Sequence, residues 1–484
     1  MPNVRSVGLA MITALLSTAV VSLAGSHPAV AASETSQSAT TVTVLTRNIY
    51  LGADVGVALA LLPDMPAAAQ FMWDQMRAND ITERAVALAG EIKQGQPDVI
   101  GLQEATTWSC STGLSEQQVV YDFTDELLQA LAASGQNYVV ASTGANQARN
   151  PGFSIGPIPL LTTVHDPQVF QPLFGSDDAQ CGFTVADVLL VRESLQASVM
   201  AAGTVEYQQD TAIVPALMVI TRGYAWADIS IGGTPTRFVT THLESIWNPN
   251  EVPAATRQAQ QLAQDLSTTA MPLVVLGDFN SDPRDPRPAD DNPGDQPEIS
   301  QTCPAQGPEQ VGDASCSAYW TMVRAGFTDA GPDMTDGQNM TWGVAADLAA
   351  PDPTRNVAAI RLGNSSGMTE RIDFVFVRND VRVKQASVIG NSWQDPMTTW
   401  SCGQAPGRDD PKARCLASDH AGVLATLSIP GAAIADPPLA STRSTSGASP
   451  VSVVLVGAIL LLGLFAFVMI VRIVRIRARR RHAA

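Results

Sequence analysis

Lysine is nearly missing from this 484-residue chain: Lys93, Lys384 and Lys412 are the whole set. Arginine carries the remaining positive charge, and six arginines crowd into one end. Setting aside Arg5, Arg443, Asp436 and those six leaves 21 basic and 45 acidic residues between 32 and 430, a net of −24. So acidic a stretch excludes tight, non-specific nucleic-acid binding, which draws its affinity from neutralised phosphates. It does not exclude a nuclease, because a local metal ion offsets charge at the site itself. Cysteine is scarce as well. With six residues and no C-x-x-C pair, zinc binding is disfavoured. No internal repeat is present, and no aromatic or aliphatic hairpin stands out as a lipid-inserting element.

What is present begins at the two ends. Residues 1–32 carry one charge (Arg5), an apolar run from Val7 to Leu23, and small residues ending in Ala29-Val30-Ala31-Ala32. That order predicts a secretory signal cleaved after Ala31 or Ala32. A short polar leader follows at 33–40. Near the other end, 451–471 is a run of 21 residues without a charge. At about 1.5 Å per residue it spans roughly 31 Å, the thickness of a bilayer's hydrocarbon core. The arginines Arg472, Arg475, Arg477, Arg479, Arg480 and Arg481 come next, and positive charge stays on the cytoplasmic side. The expected layout is therefore a cell-membrane protein with one transmembrane helix at 451–471. Its basic tail, 472–484, lies inside, a flexible stalk spans 431–450, and the folded domain, 41–430, lies outside.

An even cysteine count in an exported domain favours disulfides. Cys303/Cys316 and Cys402/Cys415 each enclose 12 residues rich in Gly, Pro, Asp or Gln. Local pairing would staple two loops, each worth roughly 3 kcal/mol at that length. Cys110 and Cys181 are then left for each other.

Within 41–430, strand-like and helical runs alternate. VTVLTRNI, PDVIGLQE, ADVLLVRE, PTRFVTTHL, PLVVLGDFN and RIDFVFVRN read as strands by length and β-branched or aromatic content. Asp80–Lys93, Glu116–Ala133 and Pro253–Leu266 have helical periodicity, the first bracketed by Asp80 as cap and Gly95 as stop. The reading is a mixed α/β domain with helices flanking sheet layers. Residues 283–317, rich in Pro, Asp, Gln and Gly, read as a long surface insertion.

Polar residues recur where these strands end. Asn48 closes VTVLTRN and Glu104 follows PDVIGLQ. His242 and Glu244 lie in FVTTHLES, and Asp278 and Asn280 in VVLGDFN. Arg371 and Asp373 lie in RIDFVF, and Asp419 and His420 in CLASDHAG. Each has a bland explanation alone: a turn former, a surface acid, a satisfied core histidine, a strand-start pair. Together, in fixed order, they do not. The pieces TRN, QE, THLE, GDFN, RIDFVF and SDH resemble the endonuclease/exonuclease/phosphatase superfamily, the deoxyribonuclease I-like group, over nearly the whole of 42–427.

The resemblance implies a four-layer α/β sandwich: two packed mixed β-sheets flanked by helices. It implies metal-dependent hydrolysis of a phosphate ester by in-line water attack, nuclease-like or sphingomyelinase-like, with Mg2+ as cofactor and Mn2+ as the alternative ion. Carried over residue by residue, Glu104 and Asn48 are expected to hold the metal, with Asp419 supporting it. Asp278 orients or deprotonates the water, and Asn280 holds a phosphate oxygen. His420 is the catalytic histidine, with Asp373 fixing its tautomer. His242 contacts the phosphate or protonates the leaving group. One departure stands out: where many relatives carry a second Asn or Asp, this chain has Tyr50, and Asp54 is offset, so one metal is expected rather than two. Asp187 and Arg192 fall near mid-chain phosphate-site positions. The competing reading is a non-catalytic surface module that reuses the fold.

Overall fold

The alternation in TTVTVLTRN decides how the strand Thr40–Asn48 is buried. Val42 and Val44 join one apolar cluster, and Leu45 joins another on the opposite face. A strand covered on both faces belongs inside a layered fold. The computed structural model describes residues 39–113, 115–214, 218–246, 251–285, 314–404, 410 and 412–431. All lie in the first of two units of the chain, Met1–Ala433. The expected signal segment, transmembrane helix, basic tail and nearly all of the stalk lie outside these residues, as do Cys303 and most of the 283–317 insertion. Among the described residues no helix is long and apolar enough to cross a membrane.

Two mixed sheets form the centre. In the first, the order runs Arg382–Ile389, Gly422–Ile429, Thr40–Asn48, Val99–Ser111, Asp178–Arg192, Tyr138–Val140. Thr40–Asn48 is parallel to Val99–Ser111 and antiparallel to Gly422–Ile429. The second runs Val199–Glu206, Gly223–Ile231, Thr234–His242, Leu273–Asp278, Asp373–Arg378, Thr328–Asp329, with one parallel pair, Thr234–His242 beside Leu273–Asp278. Valines, alanines and leucines from both sheets fill the space between them. The helices Met65–Ala78, Ile81–Gly95 and Phe123–Ala133 pack on the outer face of the first sheet, and Ala254–Asp265 and Ala318–Arg324 on that of the second. The result is a four-layer α/β sandwich.

The sheets approach closely at Gly101, where a Cβ would lie 2.7 Å from Leu276 Cβ and 2.8 Å from Thr240 Oγ1. Next to it, Gln103 links the layers: its Nε2 donates to Thr240 Oγ1 at 2.9 Å, and Thr46 Oγ1 donates to its Oε1 at 3.2 Å. A buried amide satisfied in this way holds the two layers in one register.

All six expected strands are present. Asp80 caps Ile81–Gly95 by accepting from the Thr82 and Glu83 N–H groups. The Glu116–Ala133 expectation needs correction. Its first part is a strand, Gln118–Asp122, paired with Thr107–Cys110, and the helix begins only at Phe123. Val119, Val120 and Tyr121 fit a pleated edge, and Asp122 accepts from Thr124 and Asp125 N–H to start the helix. Cys110–Cys181 and Cys402–Cys415 are disulfides as expected. Cys316 is also disulfide-bonded.

Two buried arginines set the top of the first sheet. Arg47 forks onto Glu91 (2.8 and 2.9 Å) and donates to His420 O at 2.5 Å. Arg84, between the Tyr50 and Phe123 rings, donates to the carbonyls of Ile49, Tyr50, Asn79 and Ala417. Burial draws its pKa down to about 10, so it keeps its charge at neutral pH. Glu91→Ala should cost about 3–5 kcal/mol, because it strands the Arg47 charge in the interior. Urea unfolding of the purified protein checks this, and a loss under about 1 kcal/mol would mean that the pair does not hold the strand.

Candidate active site

Strand register brings the polar residues to one rim. Asn48 pairs with Gln103, one residue before Glu104. His242 pairs with Asp278, and Asp278 with Asp373 across the antiparallel neighbour. Gly277 permits that density: a Cβ there would lie 2.6 Å from Thr241 O. His420 arrives on the segment entering Gly422–Ile429 and is bridged to Trp342. Glu104 and Asn280 have positive φ, +57° and +45°. For Glu104 that is an unusual backbone, at a register shift between Leu102 and Ala105, and such strain concentrates at functional positions.

All eight candidate residues from the sequence line one cleft or lie directly beneath it. Asn48 is the hub. Its Nδ2 lies 3.2 Å from Glu104 Oε1, 3.1 Å from Asp278 Oδ2 and 3.3 Å from His420 Nε2. His420 Nδ1 is 2.9 Å from Asp373 Oδ2, and its Nε2 is 3.6 Å from Asp278 Oδ2. On the other side, His242 Nε2 is 3.4 Å from Asp278 Oδ2 and 3.0 Å from Asn280 Nδ2. Asn280 also donates to Leu243 O at 2.9 Å, so both its amide hydrogens are engaged. The eighth residue, Asp419, lies at the cleft wall, accepting from Trp342 Nε1 at 3.3 Å.

The two histidines are driven apart in charge. Burial, Arg222 and His420 hold His242 well below its usual range, so it is neutral. Burial also opposes the charge on His420, but Asp373, Asp419 and Asp278 outweigh it and hold the imidazole up at about 10. Asp278 is pushed up to about 7, by burial first and by Asp373; His420 and the Asn280 and Asn48 hydrogen bonds pull it back. A neutral histidine, a charged one and a carboxylate poised near neutrality thus sit within one network. Such separation is how a site assigns acid and base roles.

The chemistry of the donor set fits a hard divalent cation beside Glu104. Asp419 is raised to about 6, by burial first, with Glu104 adding to the rise and His420 opposing it. The Tyr50 phenol is pushed up by burial and then by Asp419, Glu104 and Asp54. Carboxylates that repel one another around a small space suit an oxygen-ligated ion. Glu104 is engaged at both oxygens, by Asn48 Nδ2 and by Leu51 N–H at 2.6 Å. Asn48 turns its amide oxygen to Tyr50 N–H at 2.9 Å, so its ligating atom is already shared. Asp278, Asp373 and His420 also bring ligand atoms together, but an imidazolium between two carboxylates already supplies the positive charge there.

Several contributors were not visible beforehand. Arg222 lines the cleft, 3.6 Å from Glu244, and burial of its guanidinium is outweighed by Glu244, Asp187 and Glu104. Arg355, also in the cleft lining, stacks 4.1 Å over Trp342 and pairs with Glu370 at 2.8 Å. Neither arginine sits in a recognisable motif. Asp187 is at the site, buried and shifted up by that burial, with Arg222 opposing. Arg192 is not: it pairs with Asp98 at 3.4 Å, at the other end of the strands. Arg371 pairs with Asp329 at 2.9 Å and does not line the cleft. Asp54 caps a short helix, Val55–Ala60, at the cleft wall.

The sequence pattern of the Endonuclease/Exonuclease/phosphatase family matches residues 75–420. Similar solved structures include a humanized D. rerio TDP2, at 15% identity and TM-score 0.38 over 80% of this chain and 98% of that one. A mannosyl-6-phosphatase of Bacteroides thetaiotaomicron VPI-5482 matches at 14% identity and TM-score 0.39, over 80% and 99%. A family protein from Leptotrichia buccalis C-1013-b matches at 16% and 0.41, over 80% and 99%. No curated protein matches the sequence. The matched span, more than half of the chain and inclusive of Glu104, His242, Asp278, Asp373 and His420, places it in a family of phosphoester hydrolases: the chain belongs to the endonuclease/exonuclease/phosphatase family.

Proposed function

We propose that this protein is a Mg2+-dependent phosphoesterase, a phosphodiesterase or phosphatase, held on the outer face of the membrane by the 451–471 segment. The observation that carries the catalytic part is the convergence of Asn48, Glu104, His242, Asp278, Asn280, Asp373 and His420 from separate strands onto one cleft. The anchoring rests on the sequence alone: an uncharged 21-residue run followed by six arginines.

In this reading Asp278, raised to about 7, takes a proton from the water that attacks phosphorus in line, as a general base matched to neutral pH. His420, charged and held by Asp373, donates to a phosphoryl oxygen as negative charge accumulates there. Arg222 adds a fixed positive charge on the far side. An arriving phosphate favours protonation of His242, which then donates to the phosphate or to the departing oxygen. That frees the Asn280 amide for a phosphoryl oxygen. Glu104, with Asn48 and Asp419, would hold the cation, which when bound supplies Lewis-acid polarisation of the phosphoryl group.

The first assay uses bis-p-nitrophenyl phosphate, plasmid DNA and sphingomyelin. EDTA should abolish turnover, and added Mg2+ or Mn2+ should restore it; activity that survives EDTA would remove the metal from the mechanism. Asp278→Asn and His420→Ala should each lower the rate by at least about 10²-fold, as loss of one preorganised polar group does. Wild-type turnover in either variant would sink the role given to that residue.

The protonation states make a separate prediction for the metal-free protein. His420 titrates at about 10 when folded, above its usual value of 6.5. The stability it contributes is therefore complete below about 6.5 and is lost as pH rises through about 10. Thermal melts in EDTA should show Tm falling between pH 7 and 10, with a shallower fall in His420→Gln. Equal slopes would show that His420 is not the charged group.

A further inference from the structure

Beside the catalytic cleft lies a second one, between the helices Val55–Ala60 and Met65–Ala78 and the outer part of the first sheet. The two share four wall residues, Val55, Phe153, Phe183 and Ile220, so they adjoin one another. No charged residue lines the second cleft. Its one hydroxyl, on Thr162, is engaged by Ile158 N–H at 2.8 Å. Apolar side chains next to its lining residues in sequence are left in water. Leu160 is 82% exposed, and Val57, Leu61 and Val219 are exposed as well, each within two positions of a lining residue.

We infer that this cleft takes the acyl chain of an amphiphilic phosphate ester whose phosphate lies among Asp278, His242 and His420. The inference rests on the phosphoesterase reading for the phosphate end only. A polynucleotide laid the same way would bring its next phosphate to a wall with no arginine or lysine, which its affinity requires. A hydrocarbon chain finds methylene and aromatic surface throughout.

The test reads binding without turnover. The full-length chain, in EDTA and in one fixed detergent, is titrated calorimetrically with glycerol 3-phosphate and with its 1-butanoyl, 1-hexanoyl and 1-octanoyl esters. At roughly threefold per buried methylene, affinity should rise at least about 30-fold from butanoyl to octanoyl. Leu59→Asp puts a charge in the apolar wall at a partly exposed position, and Ala69→Leu fills the cleft. Either should flatten the rise to under about threefold while Mg2+-dependent turnover of bis-p-nitrophenyl phosphate stays at the wild-type rate. Affinity independent of chain length in the wild type, or an equal rise in both variants, overturns the inference. Flat binding with normal turnover removes the acyl subsite and leaves the phosphoesterase standing. A steep rise without turnover on any ester keeps the subsite and removes the catalytic reading.

Discussion

Arg47 carries a full positive charge where water does not reach, and its partners determine where it sits. The fork onto Glu91 ties the strand Thr40–Asn48 to the helix Ile81–Gly95, and the bond to His420 O ties both to the chain that delivers the imidazole. A buried ion pair contributes little net stability, because desolvation offsets its Coulomb energy. Its larger effect here is positional. Neither strand nor helix can slip without exposing an unpaired charge to the interior. Asn48, one residue further along, inherits that fixed position and presents its amide to Glu104, Asp278 and His420 at once.

The electrostatic logic of the site follows from that crowding. Three carboxylates face His420 and keep it charged despite burial, while Arg222 and His420 itself keep His242 neutral. The same imidazole acts in opposite ways at two positions a few ångströms from one carboxylate. Asp278, between them, is poised near neutrality because burial and Asp373 raise it while His420 and two hydrogen bonds restrain it. None of the three behaves as an isolated side chain would.

Much of this was legible in the chain itself. GDFN after an uninterrupted apolar run announced a strand that ends on functional groups, and the structure puts Asp278 at that strand's last position. The Asp80 cap and the six strands were readable because local spacing carries them. The segment at Glu116 was not, since its charged and aliphatic residues suit either period, and pairing with Thr107–Cys110 chose the strand. Arg222 and Arg355 were invisible for another reason: each reaches the cleft from a segment with no catalytic motif, and its neighbours there are distant in sequence. The apolar second cleft was equally silent. Its walls come from two helices and five strands, no one of which is unusual alone.

By itself the sequence determined the family, the α/β class and which polar residues stand at the strand ends, because those depend on residue types and on spacings within single strands. It also carries the terminal hydrophobic runs that point to export and anchoring. The tertiary structure alone decided which histidine is charged, that Asn48 turns its nitrogen rather than its oxygen to the centre, and that an apolar cleft opens beside the polar one. Those properties depend on distances between groups far apart in the chain. Desolvation and Coulomb interaction act through space, and only folding sets the separations on which they depend.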